Sequence, residues 1–126
     1  AHTGNYDACV EAVKIIDIQL GKVIQACVRT NAILMITADH GNIERVFNPT
    51  TGETETQHDP SPVPVYLVAK EFERKKGQAE IDRADKKVVG TLADVAPTIL
   101  ELMRLPKPKD MTGQSFLNSI NSRYRA

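Results

Sequence analysis

The most informative segment of the chain reads AILMITADHGN, from Ala32 to Asn42. Its first five residues are all apolar rather than alternately apolar and polar, which is typical of a strand covered on both faces. The residues that follow are polar and include Gly41, so the sequence predicts that the strand ends there in a turn. Because active sites of open α/β sheets lie beyond the carboxyl ends of strands, Asp39 and His40 are the first candidates for chemistry.

The sequence on either side of this segment predicts an α/β domain. In residues 5–29 apolar positions recur at spacings of three and four, which predicts an amphipathic helix with Asn5 as its cap. The apolar stripe of this helix comprises Cys9, Val13, Ile16, Leu20, Val23 and Cys27. Residues 62–69 predict a second buried strand entered through prolines, and residues 92–103 predict a second helix with Asp94 near its cap.

The remaining segments are polar, charged or rich in proline. Residues 48–61 predict a loop, and the densely charged residues 70–87 predict an exposed surface, with contact to a substrate phosphate as the alternative. Residues 87–90 could form a short edge strand. The tail from Leu105 is expected to be extended or rich in turns.

Composition excludes several classes of function. The 126 residues include 16 Lys or Arg and 16 Asp or Glu, so the formal net charge is zero. We therefore expect one soluble domain that binds neither nucleic acid nor membrane, with no secretion leader. Cys9 and Cys27 would lie about 27 Å apart along one helix, too far for a disulfide. Buried thiols in a reducing cytosol are the simplest interpretation.

All three histidines of the chain, His2, His40 and His58, fall in predicted loops or at the ends of predicted elements. A carboxylate beside an imidazole, with further imidazoles from other loops, suits a divalent ion such as Zn²⁺ or Mn²⁺. The plainer alternative to metal binding is that the histidines are exposed or hydrogen-bonded. A binding module without catalysis is also a possible interpretation of the chain. A serine or cysteine triad is disfavoured, because adjacent residues of an extended backbone point to opposite faces and no G-x-S-x-G turn is present. The chain also has no P-loop motif.

Five segments in order carry a resemblance to a known family. They are HTG at 2–4, TADHGN at 37–42, His58 with PVP at 62–64, LADVAPTIL at 92–100 and MTGQS at 111–115. Together they resemble the carboxyl-terminal part of the cofactor-independent (2,3-bisphosphoglycerate-independent) phosphoglycerate mutases, members of the alkaline phosphatase superfamily. The resemblance extends over nearly the whole chain.

The resemblance implies an α/β three-layer sandwich and an isomerase of glycolysis and gluconeogenesis. Such an enzyme interconverts 3-phosphoglycerate and 2-phosphoglycerate through a phosphoserine, with two Mn²⁺ ions and no 2,3-bisphosphoglycerate; Zn²⁺, Mg²⁺ or Co²⁺ are possible substitutes. It implies that Asp39 and His40 bind one metal, and that His2 and His58 bind the other. It further implies a cytoplasmic and monomeric parent protein.

Parts of the family pattern are not among these 126 residues. The serine nucleophile, an Asp ligand expected four residues before His2 and the groups that grip phosphoglycerate are missing. We therefore interpret residues 1–126 as the carboxyl-terminal portion of a phosphatase-like domain, with no second domain and no activity of its own. We expect the four metal ligands to converge at one edge of a sheet rich in parallel strands. Another superfamily member, such as a phosphopentomutase or a phosphodiesterase, is the alternative.

Overall fold

The computed structural model describes residues 5–41 and 61–120. The chain divides into two compact units, Ala1–Lys76 and Gly77–Ala126. The described residues combine helices with strands, as the sequence predicts for the α/β class. The expectation that residues 1–126 are a portion of one phosphatase-like domain stays a prediction.

The first unit begins with helix α1, Tyr6–Arg29, which confirms the predicted helix. Asn5 caps it as expected, because its Oδ1 accepts a hydrogen bond of 3.0 Å from the Ala8 backbone N–H. At the other end, the Thr30 hydroxyl donates to the Ala26 carbonyl at 2.9 Å, and the same carbonyl accepts from the Thr30 backbone N–H at 3.0 Å. Polar side chains close in sequence, those of Asn5 and Thr30, thus form hydrogen bonds at the two ends of the helix.

The apolar stripe of α1 is only partly covered by the described residues. Cys9 is 4% exposed, which confirms the buried thiol, whereas Cys27 is half-buried rather than fully buried. Val13, Ile16 and Val23 are exposed. Helical periodicity shows which face is apolar, but it does not show which residues cover that face.

Among its described residues the first unit has two strands, β1, Leu34–Thr37, and β2, Val65–Val68. They pair antiparallel, with Leu34 opposite Val68 and Thr37 opposite Val65. The expectation of parallel strands is therefore wrong for this pair. A parallel pair needs a crossover connection, usually a helix, whereas an antiparallel pair does not. In the described residues β1 is half-buried rather than covered on both faces.

Short helices dominate the second unit. Its α-helices are α2, Gln78–Asp85; α3, Val95–Leu102; and α4, Leu117–Ile120. A 3₁₀ turn at Leu92–Asp94 leads directly into α3, and another, Lys70–Phe72, follows β2 in the first unit. The predicted helix at 92–103 is thus present as a 3₁₀ turn followed by an α-helix.

The predicted edge strand at residues 87–90 needs correction. Residues 87–90 are irregular and not an edge strand. Residues 70–87 are mostly exposed, as expected, but they contain α2, whose eight residues expose most of their side chains. The tail from Leu105 is irregular until α4, in agreement with the prediction.

The most deeply buried residues of the second unit come from α3 and from the tail. Thr98 and Leu117 are fully buried, and Phe116 is 5% exposed. None of the helices in residues 5–41 and 61–120 is long and apolar enough to cross a membrane.

Candidate metal centre

Asp39 and His40 follow β1 in a bend of the chain, two and three residues after the strand ends at Thr37. Asp39 Oδ1 accepts a hydrogen bond of 3.1 Å from the His40 backbone N–H. This contact holds the carboxylate against the bend, as Asp side chains commonly do in turns. The strand end therefore presents the two side chains together.

The ring of His40 is oriented by the next residue. Its Nδ1 lies 3.0 Å from the carbonyl oxygen of Gly41, which is buried. Because a carbonyl oxygen can only accept, Nδ1 carries the proton in this contact, and a neutral ring then keeps its lone pair on Nε2. Histidine ligands of metals are typically held in this way by a carbonyl or carboxylate partner.

His40 Nε2 lies 3.7 Å from Asp39 Oδ2. The side chain of Asp39 is 88% exposed and that of His40 is 36% exposed, so both can be reached from solvent. Two ligands of one ion at about 2.1 Å stand roughly 3.0–3.4 Å apart, so a small rotation would let both face one cation. The donor pair therefore fits a Mn²⁺ or Zn²⁺ ligand pair.

This geometry corrects one argument made from the sequence. Side chains of Asp39 and His40 were expected on opposite faces, which holds for an extended backbone. The strand has already ended at Thr37, and the bend turns the carboxylate and the imidazole toward the same side.

The antiparallel register also bears on the other predicted ligands. Because Thr37 pairs with Val65, the residues after β1 and the residues before β2 belong to the same end of the strand pair. His58 comes four residues before Pro62 in this chain segment, but His58 and His2 lie outside the described residues. The structure thus brings together two of the four predicted ligands, and the other two stay predictions.

Residues 5–41 and 61–120 contain no group of three or more His, Cys, Asp or Glu side chains able to hold a metal ion. The described part of the candidate site is therefore limited to the side chains of Asp39 and His40.

A second polar cluster was missed by the sequence analysis. It lies in the second unit around Asp94, whose carboxylate binds the backbone N–H groups of Thr91 and Gln114. The hydrogen bond from Gln114, followed by that from the Thr91 backbone, lowers the pKa of Asp94 from its ordinary value. The Thr-x-x-Asp spacing at 91–94 is a capping-box pattern and could have indicated the contact with Thr91.

Comparison with known proteins shows the family. The model of the metalloenzyme superfamily matches residues 1–107. Proteins named 2,3-bisphosphoglycerate-independent phosphoglycerate mutase are similar over most of the chain. The protein from Cellvibrio japonicus is 44% identical over 92% of this chain and 20% of its own length. That from Clostridioides difficile is 42% identical over 93% of this chain and 21% of its own length.

A third relative of the same name, from Thermomicrobium roseum, is 44% identical over 92% of this chain and 21% of its own length. The chain thus spans about a fifth of the length of the curated relatives it matches. Their names favour the mutases over the phosphopentomutase and phosphodiesterase alternatives. By the match over residues 1–107, the chain belongs to the metalloenzyme superfamily.

Proposed function

We propose that this chain is the carboxyl-terminal, ligand-bearing portion of a cofactor-independent phosphoglycerate mutase. Such an enzyme interconverts 3-phosphoglycerate and 2-phosphoglycerate through a phosphoserine. The observation that carries the proposal is the Asp39 and His40 pair at the end of β1, in a chain more than 40% identical to proteins of that name. The proposal includes the small-molecule substrate, a place in glycolysis, a cytoplasmic location and a monomeric parent protein.

In this proposal Asp39 and His40 hold one metal ion, and His2 and His58 contribute to the second. A pair of Mn²⁺ ions would neutralise negative charge on a phosphoryl group while it is transferred. An oxygen ligand and a nitrogen ligand also suit Zn²⁺, Mg²⁺ or Co²⁺ to differing degrees, so the choice of Mn²⁺ is part of the proposal.

The residues of the chain prepare this site before any ion arrives. The Gly41 carbonyl fixes the ring of His40 and directs its Nε2 lone pair away from the backbone. The His40 backbone N–H holds Asp39 Oδ1, which leaves Oδ2 on the side of the imidazole. Two ligands oriented in advance lose less conformational freedom on binding than two free side chains would.

None of the serines in residues 5–41 and 61–120 stands in the position of an activated nucleophile, and we propose that the chain is inactive by itself. A covalent phosphoryl intermediate requires such a group. Ser115 accepts a hydrogen bond from the Leu117 N–H at the start of α4, and Ser119 lies within α4. Ser61 precedes β2 and is the least improbable substitute for the missing nucleophile. Ser122 lies outside the described residues.

The test uses the longest open reading frame that contains this chain. Conversion of 3-phosphoglycerate to 2-phosphoglycerate is followed by ³¹P NMR with excess Mn²⁺. We expect turnover by the long protein, and a loss of about 100-fold or more in His40→Gln, since even outer partners of a metal site cost about 10–100-fold. Asp85→Asn, a carboxylate change at the exposed end of α2, is the matched control and should keep full activity.

The 126-residue chain is assayed beside its His40→Ala variant. Turnover that disappears in that variant would contradict the proposal of an inactive portion. Turnover that persists equally in both proteins would come from a contaminating enzyme. That enzyme would be removed by further purification before the assay is repeated. A long protein that binds Mn²⁺ but does not convert 3-phosphoglycerate would overturn the mutase assignment.

A further inference from the structure

Two segments of the second unit that are 20 residues apart meet at the carboxylate of Asp94. Its Oδ2 accepts hydrogen bonds from the Thr91 backbone N–H at 2.8 Å and from the Thr91 hydroxyl at 3.1 Å. Its Oδ1 accepts a bond of 2.7 Å from the Gln114 backbone N–H. Hydrogen bonds to an ionised carboxylate are stronger than those between neutral groups. One side chain thus caps the 3₁₀ turn that leads into α3 and also holds the tail.

Thr98 makes the second link between the same segments. Its hydroxyl donates to the Asp94 carbonyl oxygen at 2.7 Å and accepts from the Phe116 backbone N–H at 3.1 Å. Thr98 is fully buried and Phe116 is 5% exposed. A buried N–H without an acceptor is costly, so this hydroxyl is needed for Phe116 to stay in place.

Two glycines allow the segments to approach closely. A Cβ at Gly113 would collide with the backbone carbonyl of Ala93. A Cβ at Gly90 would lie 2.8 Å from Asp94 Oδ2 and 3.0 Å from a ring carbon of Phe116. The contact therefore requires the absence of a side chain at Gly113, where the colliding atom belongs to the backbone, whereas at Gly90 the side chains of Asp94 and Phe116 would have to shift.

The tail has no regular structure of its own before α4. Residues 111–116 are irregular, and the N–H groups of Gln114 and Phe116 bind side chains of the α3 segment instead of a helix or a sheet. Lys107 adds a link on the tail side, because its Nζ donates to the carbonyls of Met111 and Gly113 at 2.9 and 2.8 Å. Docking of this segment thus depends on a few side chains.

We propose that residues 111–117 form a strap that opens and closes as one unit over α3, latched by Asp94 and Thr98. Opening breaks the contacts of Gln114 and Phe116 and exposes Phe116 and Leu117, while α3 keeps its own backbone hydrogen bonds. Segments with few regular backbone bonds open at lower free energy than the helices they cover. The strap is thus a conformational element of the second unit.

The test is amide hydrogen exchange of the 126-residue chain, followed by NMR. The Gln114 and Phe116 amides report on the strap, and the Met103 amide, which donates to the Ile99 carbonyl, reports on α3. In the unmodified chain we expect the two strap amides to exchange at a common opening rate that exceeds that of Met103. This comparison needs no variant and so does not depend on the folding of one.

Thr98→Val and Asp94→Asn each remove part of the latch. Loss of a buried hydrogen-bond partner should speed exchange of both strap amides by about tenfold or more and leave Met103 within a factor of about two. Asp85→Asn is the matched control and should change neither. Equal acceleration of Met103 and the strap would overturn the proposal, because α3 and the strap would then open together. Unchanged strap amides in Thr98→Val would overturn it as well.

Discussion

Replacement of glycine by alanine should have opposite effects on the free energy of unfolding at Gly113 and at Gly21. Gly113 lies where the strap meets the backbone before α3, and an added Cβ would overlap the Ala93 carbonyl oxygen. Gly21 lies within α1, and nothing stands within 4 Å of a Cβ added there. Substitution by alanine should therefore destabilise the folded chain at Gly113 and stabilise it at Gly21.

The magnitudes follow from the two environments. The atom that a Cβ at Gly113 meets belongs to the backbone, so a segment must move, and overpacking of this kind costs about 1–3 kcal/mol. Glycine inside a helix is less favourable than alanine by about 0.5–1 kcal/mol, so Gly21→Ala should stabilise α1 by about that amount. The expected difference between the two variants is thus about 1.5–4 kcal/mol.

Both free energies can be measured by urea unfolding followed by helical circular dichroism, with amide exchange to separate the two compact units. Gly113→Ala should lower the urea midpoint and speed exchange of the Gln114 amide. Gly21→Ala should raise the midpoint or slow exchange within α1. A neutral or stabilising Gly113→Ala would refute the argument from close approach, and a destabilising Gly21→Ala would refute the open environment of α1.

Three further changes test the described geometry. The lowered pKa of Asp94 means that its stabilisation is complete above the ordinary carboxyl value and is lost as pH falls through the lowered value. Acid should therefore reduce the protection of the strap amides, measured relative to their intrinsic exchange rates at each pH, and Asp94→Asn should lack this dependence. A thiol reagent should modify half-buried Cys27 at least about tenfold faster than Cys9, and equal rates by mass spectrometry would contradict the burial of Cys9. Asn5→Ala should destabilise α1 by about 1 kcal/mol through loss of the cap, and an unchanged urea midpoint would contradict that role.

Local sequence patterns predict much of the secondary structure and of the ligand pair. The three- and four-residue spacing gives α1 nearly to its ends, and the apolar run from Ala32 gives β1 together with the polar turn after it. Asp39 and His40 follow from that turn, because a strand end is where polar side chains leave the sheet. The Asn5 cap also follows, since it depends on residues three positions apart.

Properties that depend on distant residues could not be predicted in the same way. The direction of β2 depends on the path of the connection between the strands, and apolar runs carry no information about it. The meeting of Asp39 and His40 on one side depends on a bend, which the rule for extended chains does not describe. Contacts from Asp94 to Gln114 join positions 20 residues apart that have no common periodicity.

The exposed part of the α1 stripe has a similar cause. Amphipathic spacing predicts that Ile16 and Val23 prefer an apolar environment, yet the described residues leave both exposed. The chain corresponds to about a fifth of the length of its relatives, and burial of a helix face depends on elements from anywhere in a fold. The spacing of apolar residues within α1 does not show which elements those are.

The central claim is that Asp39 and His40 bind a divalent metal together. Paramagnetic broadening by substoichiometric Mn²⁺, recorded for the amides and histidine rings of the 126-residue chain, measures this most directly. The claim predicts selective broadening of the His40 ring and the 39–41 amides that disappears in Asp39→Asn and persists in Asp85→Asn. Broadening that is absent at His40, or that is equal at Asp39 and Asp85 and survives Asp39→Asn, would contradict the claim.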